Sequence, residues 1–453
     1  MNFPQPILVI FALLFPAYCL LKEKHRPLII WLSLSVILDI FNSQKYMNLT
    51  AFKMCGLILT PYLIKNYKDF LSSTAVRLMI VNVIYLGILG LIFGHLAPWV
   101  DPTGLKGGRD VPQWRSVIHL GSMGLELFTT LYLAKQFQEI QNILLSLKTL
   151  IFGALGSAAG AVMELLFQFD FYGFFTHQAK VIWPGRMKGF NYEPRGFAQC
   201  QAYGIILSLF FIRDSVKIYF SLITIFLLSI FYLSMSTTGI IVLAVGLIIP
   251  FLNFFYDEFK NKNYKKIGLI LAAHLLIFTV IIAFTPKAKM QKIKAHHSER
   301  NFIAKKSSIV SKLEVFDAAA ANFLIQNPKY LIFGTGPGLV SIPVGKEYLL
   351  DRDKNFWSNG IVALPHMGAM LMISNGGLIG LALWIAIILI CIKSYFEKHR
   401  LEVGSKEKLV FLVFLTLVGL YLIQIRYLYY IGLAIGLSFT FNSKSSDSIE
   451  KHS

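Results

Sequence analysis

Residues 367–392 read MGAMLMISNGGLIGLALWIAIILICI, an apolar run without a charged side chain. At 1.5 Å per residue, a helix of that length is long enough to cross a hydrocarbon layer of about 30 Å. Lipid offers no water to backbone N–H and C=O groups, so such a run has to be helical. The same reading applies along most of the chain. Apolar spans fall at about 5–21, 27–42, 49–64, 77–97, 115–134, 143–166, 198–212, 217–234, 238–256, 267–285, 367–392, 408–424 and 427–441. The last of these is short enough to be re-entrant or interfacial. Of 453 residues, 55% are hydrophobic and 15% charged, where a soluble domain is about a quarter charged. The expected fold is an all-α polytopic membrane protein of about 12–13 transmembrane helices.

Just before the quoted run lies the longest polar stretch of the chain, from Pro286 to His366. It divides the sequence into 1–285, transmembrane helices with short loops; 286–366, one large loop; 367–442, C-terminal transmembrane helices; and 443–453, a polar tail. Short basic loops around Lys22–Arg26, Lys65–Arg77, Lys135, Arg213–Lys217, Lys260–Lys266 and Lys393–Lys408 belong inside by the positive-inside rule. Trp99, Trp114 and Trp183 then fall on the outer side together with the large loop. The tail falls inside, and the N-terminus outside for an odd number of spans or inside for an even number.

Within the loop, Ile309, Leu313, Phe316, Ala320, Phe323 and Leu324 recur at helical spacing, with Lys312, Glu314, Asp317 and Asn322 between them. This predicts an amphipathic helix lying on the membrane or the scaffold, ended by Asn327-Pro328. A net charge of +19 would suggest nucleic acid for a soluble protein, but basic inner loops explain part of it and no nucleic-acid partner is expected. The basic run Lys287 to Lys312 contains one acid, Glu299. It reads either as solvated charge or as an electropositive surface for anionic membrane lipids or a phosphorylated lipid. Cys19, Cys55, Cys200 and Cys391 lie in or beside apolar spans at no metal spacing, which predicts packing roles. The first apolar run lacks a basic leader and a small-residue cleavage site, and is expected to be a retained anchor.

Few residues offer chemistry. Gly334-Thr335-Gly336-Pro337-Gly338 has no Lys-Ser/Thr after it and no strand–helix context, so neither nucleotide-binding loop fits. Alone it reads as a tight turn. His366 stands at the outer interface, where an imidazole can take a proton near neutral pH or merely cap a helix. Arg195, ahead of its span, can grip a pyrophosphate bidentately or snorkel, and Arg186 is a second candidate. Glu126 and Lys148 sit inside neighbouring spans at similar depth from a shared inner loop and are expected to form a structural ion pair. Asp39 and Lys53, nearer helix ends, are expected to snorkel.

The chain resembles the O-antigen polymerase and ligase family (Wzy and WaaL) of bacterial surface-polysaccharide enzymes, over roughly Arg195 to Leu381. The resemblance rests on Glu193-Pro194-Arg195-Gly196-Phe197, on Ser234-Met235-Ser236-Thr237-Thr238-Gly239, and on the loop from Asn327-Pro328 through Gly334–Gly338 to Pro365-His366-Met367 and Gly376-Gly377-Leu378. It implies a periplasmic loop and an inner-membrane enzyme that takes a glycan from undecaprenyl pyrophosphate without metal or cofactor. His366 would be the general base, with Arg195 on the pyrophosphate; the second cation would be Lys312 by register or Arg300 upstream. Gly334, Gly336 and Gly338 would form the loop turn. A polymerase would use a second lipid-linked repeat unit as acceptor, with a chain-length regulator as partner, and a ligase would use lipid A–core. Ser236-Thr237 and Met367 depart from the family's common forms, as in the more divergent polymerases. An O-linked protein glycosyltransferase is a further alternative. A transporter or flippase, the reading from another class, would favour short loops throughout, repeat symmetry and charges at midplane sites, whereas the chain has one dominant outer loop and no evident internal repeat.

Overall fold

The computed structural model describes residues 5–42, 50–96, 112–167, 170, 173, 187–191, 194–212, 217–234, 236–253, 315–348, 365–399, 404–423 and 428–441. Among these residues there is no strand. The helices are α1 (Gln5–Leu21), α2 (His25–Ile37), α3 (Asp39–Asn42), α4 (Ala51–Lys65), α5 (Tyr67–Ser72), α6 (Thr74–Leu96), α7 (Pro112–Gln136), α8 (Ile140–Phe167), α9 (Pro194–Ile212), α10 (Lys217–Ser234) and α11 (Thr237–Gly246). From the loop onward come α12 (Val315–Gln326), α13 (Pro328–Phe333), α14 (Ser341–Tyr348), α15 (Gly368–Lys398), α16 (Ser405–Ile423) and α17 (Leu428–Thr440). Thr74–His95, Trp114–Gln136, Ile140–Glu164 and Gly368–Lys398 are long and apolar enough to cross a membrane, and shorter apolar helices stand beside them. The protein is an all-α, multi-pass membrane protein. The span expected at 267–285 lies outside the described residues.

The segment at 427–441 is a central helix. From Leu428 to Phe439 almost every side chain of α17 is buried, and it packs against α7, α15 and α16. A helix apolar all round belongs inside a bundle. One hydrophobic core runs through α1, α2, α4, α6 to α10 and α15 to α17; the four cysteines are buried in it as free thiols. A smaller cluster under the loop joins Ala320, Phe323 and Leu324 of α12 to Tyr330, Val340 and Val344. The loop helix therefore begins at Val315 among the described residues, and Ala320, Phe323 and Leu324 face inward as the spacing predicts, while Ile309, Leu313 and the side chain of Phe316 lie outside the described residues. Asp317 does not follow the expected polar face: it is fully buried. The loop helix ends at Gln326, just before Asn327-Pro328 as expected, and Pro328 then opens α13 at the first helical position, where a missing N–H is harmless.

The expected Glu126–Lys148 pair is not formed. Glu126 pairs with Lys53 at 3.1 Å and also accepts a hydrogen bond from the Tyr430 hydroxyl. Lys148 is exposed and lies over the Phe211 ring. Helices α7 and α8 share a short turn but diverge: α7 packs on α4, α6 and α17, while α8 packs on α2 and α9. Equal depth therefore does not make these two residues neighbours. Lys53 is correspondingly not a snorkelling lysine, because the start of α4 lies against the middle of α7. Gly56 permits this approach, as a Cβ there would sit 2.1 Å from the Leu125 carbonyl oxygen. Thr129 fastens the same contact by donating to the Phe52 carbonyl at 2.9 Å. The side chain of Asp39 lies outside the described residues.

Candidate active site

The site is built where the loop meets the break in α15. Gly377 interrupts that helix with φ +64°, ψ −165°. The glycine-rich turn docks on the interruption. Thr335 N–H donates to the Ser374 carbonyl (2.8 Å), Gly336 N–H to the Asn375 carbonyl (2.9 Å) and Gly338 N–H to Asn375 Oδ1 (3.2 Å). Gly334 N–H is used within the chain as well, on the Tyr330 carbonyl. Pro337 has no N–H, so the donors of this turn are spent on protein acceptors and none is left to cradle a phosphate. The turn is a splice between loop and scaffold.

Side chains are excluded from that splice. A Cβ at Gly377 would meet the Ile332 carbonyl oxygen at 2.1 Å, and φ is positive as well. Gly377→Ala is expected to lose about 1–3 kcal/mol for the backbone alone, read as a lower melting temperature in detergent. Gly121→Ala, where nothing lies within 4 Å, should be neutral or slightly stabilising, about 0.5–1 kcal/mol.

Two residues near the N-terminus of α7 hold the turn from the other side. Arg115, buried, donates Nε–H to the Gly338 carbonyl at 2.7 Å. His119 packs its ring on Gly338, where a Cβ would stand 2.3 Å from Cδ2. Residues four apart share a helix face, so both side chains reach the turn from the same side of α7.

His366 immediately precedes α15 with Met367 as its N-cap, and Arg195 lies in the first turn of α9 behind Pro194. Although 171 positions apart, they meet: Arg195 Nη1 is 3.4 Å from His366 Nδ1, and both side chains are half-buried. A guanidinium has only donors, so Nδ1 is the accepting, unprotonated nitrogen in this contact. Asp317 Oδ1 accepts the backbone N–H groups of His366 and Met367, each at 3.0 Å. Arg195, His366, His119 and Gly338 line a cavity of about 600 Å³, which also reaches the Lys53–Glu126–Tyr430 cluster. Glu126 is two helical turns beyond His119, about 10 Å at 1.5 Å per residue. That volume suits a small ligand or part of a large one.

Of the sequence candidates, the fold thus brings Arg195, His366 and the glycine turn together. Arg186, Arg300 and Lys312 lie outside the described residues. Among the described residues, no three His, Cys, Asp or Glu side chains are grouped to hold a metal ion. Asp317, Arg115, His119 and Asn375 were not anticipated.

No curated protein matches the chain. Residues 222–385 match the family described as O-Antigen ligase (Wzy_C), a stretch that takes in α11, the large loop, His366 and the break in α15. Arg195 precedes it. The match falls on the loop motifs that carried the resemblance and bears it out: residues 222–385, about a third of the chain, carry an O-antigen ligase family domain, which supports the likeness to the Wzy/WaaL-like proteins.

Proposed function

We propose that the protein transfers a glycan from undecaprenyl pyrophosphate to an acceptor sugar hydroxyl at the periplasmic face of the bacterial inner membrane. The observation that carries this reading is the Arg195–His366 contact inside one cavity. The acceptor oxygen attacks the anomeric carbon, the bond from that carbon to the pyrophosphate oxygen breaks, and the electron pair leaves with the pyrophosphate. Arg195 supplies paired donors to the departing diphosphate, where negative charge grows. The hydroxyl proton passes to His366. Moving the guanidinium onto the diphosphate uncovers Nδ1, the nitrogen with the lone pair, so donor binding and base activation are coupled. The reading is metal-independent, with Arg186 and either Lys312 or Arg300 as further cations, and the membrane lipid itself as surroundings.

As acceptor we assign another lipid-linked repeat unit, as in a polymerase, because Thr237 and Met367 depart from the family's common residues. The family description, O-Antigen ligase, favours the second reading, transfer to lipid A–core. Gel analysis of surface polysaccharide in a deletion strain separates them. Core bearing one repeat is the polymerase result, and free core with accumulated lipid-linked polymer is the ligase result. An unchanged ladder would dismiss both.

A further inference from the structure

We infer that Asp317 is the residue that positions His366 for proton transfer, through a single carboxylate oxygen. The inference rests on His366 being the general base. Asp317 sits in the first turn of α12 and is 0% exposed. Burying a carboxylate is unfavourable unless the charge is met by hydrogen bonds. Its Oδ1 meets two, the amides of His366 and Met367, each at 3.0 Å. These are the last two residues before α15, and Met367, its N-cap, is extended with φ −82° and ψ +131°. Their N–H groups have no acceptor within the helical ladder, which takes only the Met367 carbonyl, through Leu371 N–H at 2.9 Å. Two amides on one oxygen fix the peptide on both sides of the His366 backbone, and with it the origin of the imidazole. The carboxylate also faces the positive end of the α15 dipole.

The approach of α12 is made possible by small residues. Ala318, Ala319, Ala320 and Ala321 follow Asp317 and are all buried, and Met370 of α15 packs on Ala318 and Ala321. The carboxylate therefore belongs to the large loop, while the amides belong to the entry of the membrane helix. A misplacement of about 1 Å in a catalytic group can cost about 100-fold in rate. Asp317 does not touch substrate in this scheme; it acts through His366.

The test uses the full-length protein in detergent, with the lipid-linked glycan that accumulates in the deletion strain as donor. Asp317→Ala should lower kcat about 10- to 100-fold with KM for the donor within about threefold. Asp317→Asn keeps an oxygen at the same place and should restore most of the rate. Asp317→Glu keeps the charge but displaces the oxygen by one methylene, and should not. The double variant Asp317→Ala/His366→Ala should be no slower than His366→Ala alone, since groups acting as one unit are not additive. A folded Asp317→Asn protein as slow as Asp317→Glu, or additive losses in the double variant, would overturn the inference. Wild-type kinetics in Asp317→Ala together with an inactive His366→Ala would sink the positioning role and leave the proposed reaction standing. An active His366→Ala removes both.

Discussion

His366→Ala should reduce glycan transfer by about 10²- to 10⁴-fold, the span usual for loss of a general base. Membrane insertion and melting behaviour should stay unchanged, because the half-buried ring lines a cavity and is no part of the core. Arg195→Ala should fall in the same range for a different reason: the departing diphosphate loses paired donors where charge develops. Arg195→Lys restores the charge without the fork and should recover only part of the rate. The two single losses should not multiply in the double variant, since both groups serve one transition state. Turnover is measured on the lipid-linked donor, with insertion checked by protease protection. His366→Ala turning over at the wild-type rate would end the assignment, and a transporter would be expected to tolerate that change.

How far the sequence discloses this arrangement depends on the range of the interaction concerned. Each apolar span from Gln5 to Asn253 announces its helix, because lipid leaves an apolar backbone no other option. His366 and Arg195 stand out because each is a polar group beside an apolar run, and such positions are few. The glycine-rich turn is legible as a turn. Its destination is not: Ser374 to Gly377 lies within the apolar run quoted at the outset, and only the fold shows that the break in α15 supplies its acceptors. Asp317 misleads for the same reason, since its periodicity puts it on the polar face while a partner 49 positions away draws it inside. Helix depth counted from a shared loop also fails, as Glu126 and Lys148 illustrate, because depth says nothing about azimuth.

The buried Glu126 consequently carries the second large effect. Glu126→Ala removes the carboxylate from a Lys53 whose side chain is 13% exposed. Breaking a buried pair in this way costs about 3–5 kcal/mol, chiefly from the charge left behind. The expected result is a marked fall in melting temperature in detergent. Glu126→Gln should lose less, as the amide oxygen still accepts from Tyr430 and Lys53. Replacing both partners, Lys53→Met with Glu126→Leu, should recover most of the loss, because the desolvation penalty disappears with the charges. Exchanging the charges, Lys53→Glu with Glu126→Lys, should be tolerated better than either single removal. Lys148→Ala, by contrast, removes only an exposed side chain over Phe211 and should shift melting little. A Lys148→Ala protein destabilised as much as Glu126→Ala would return the partner to the helix next in sequence. A double replacement no more stable than the single would show that the cluster is held by something other than its ion pair.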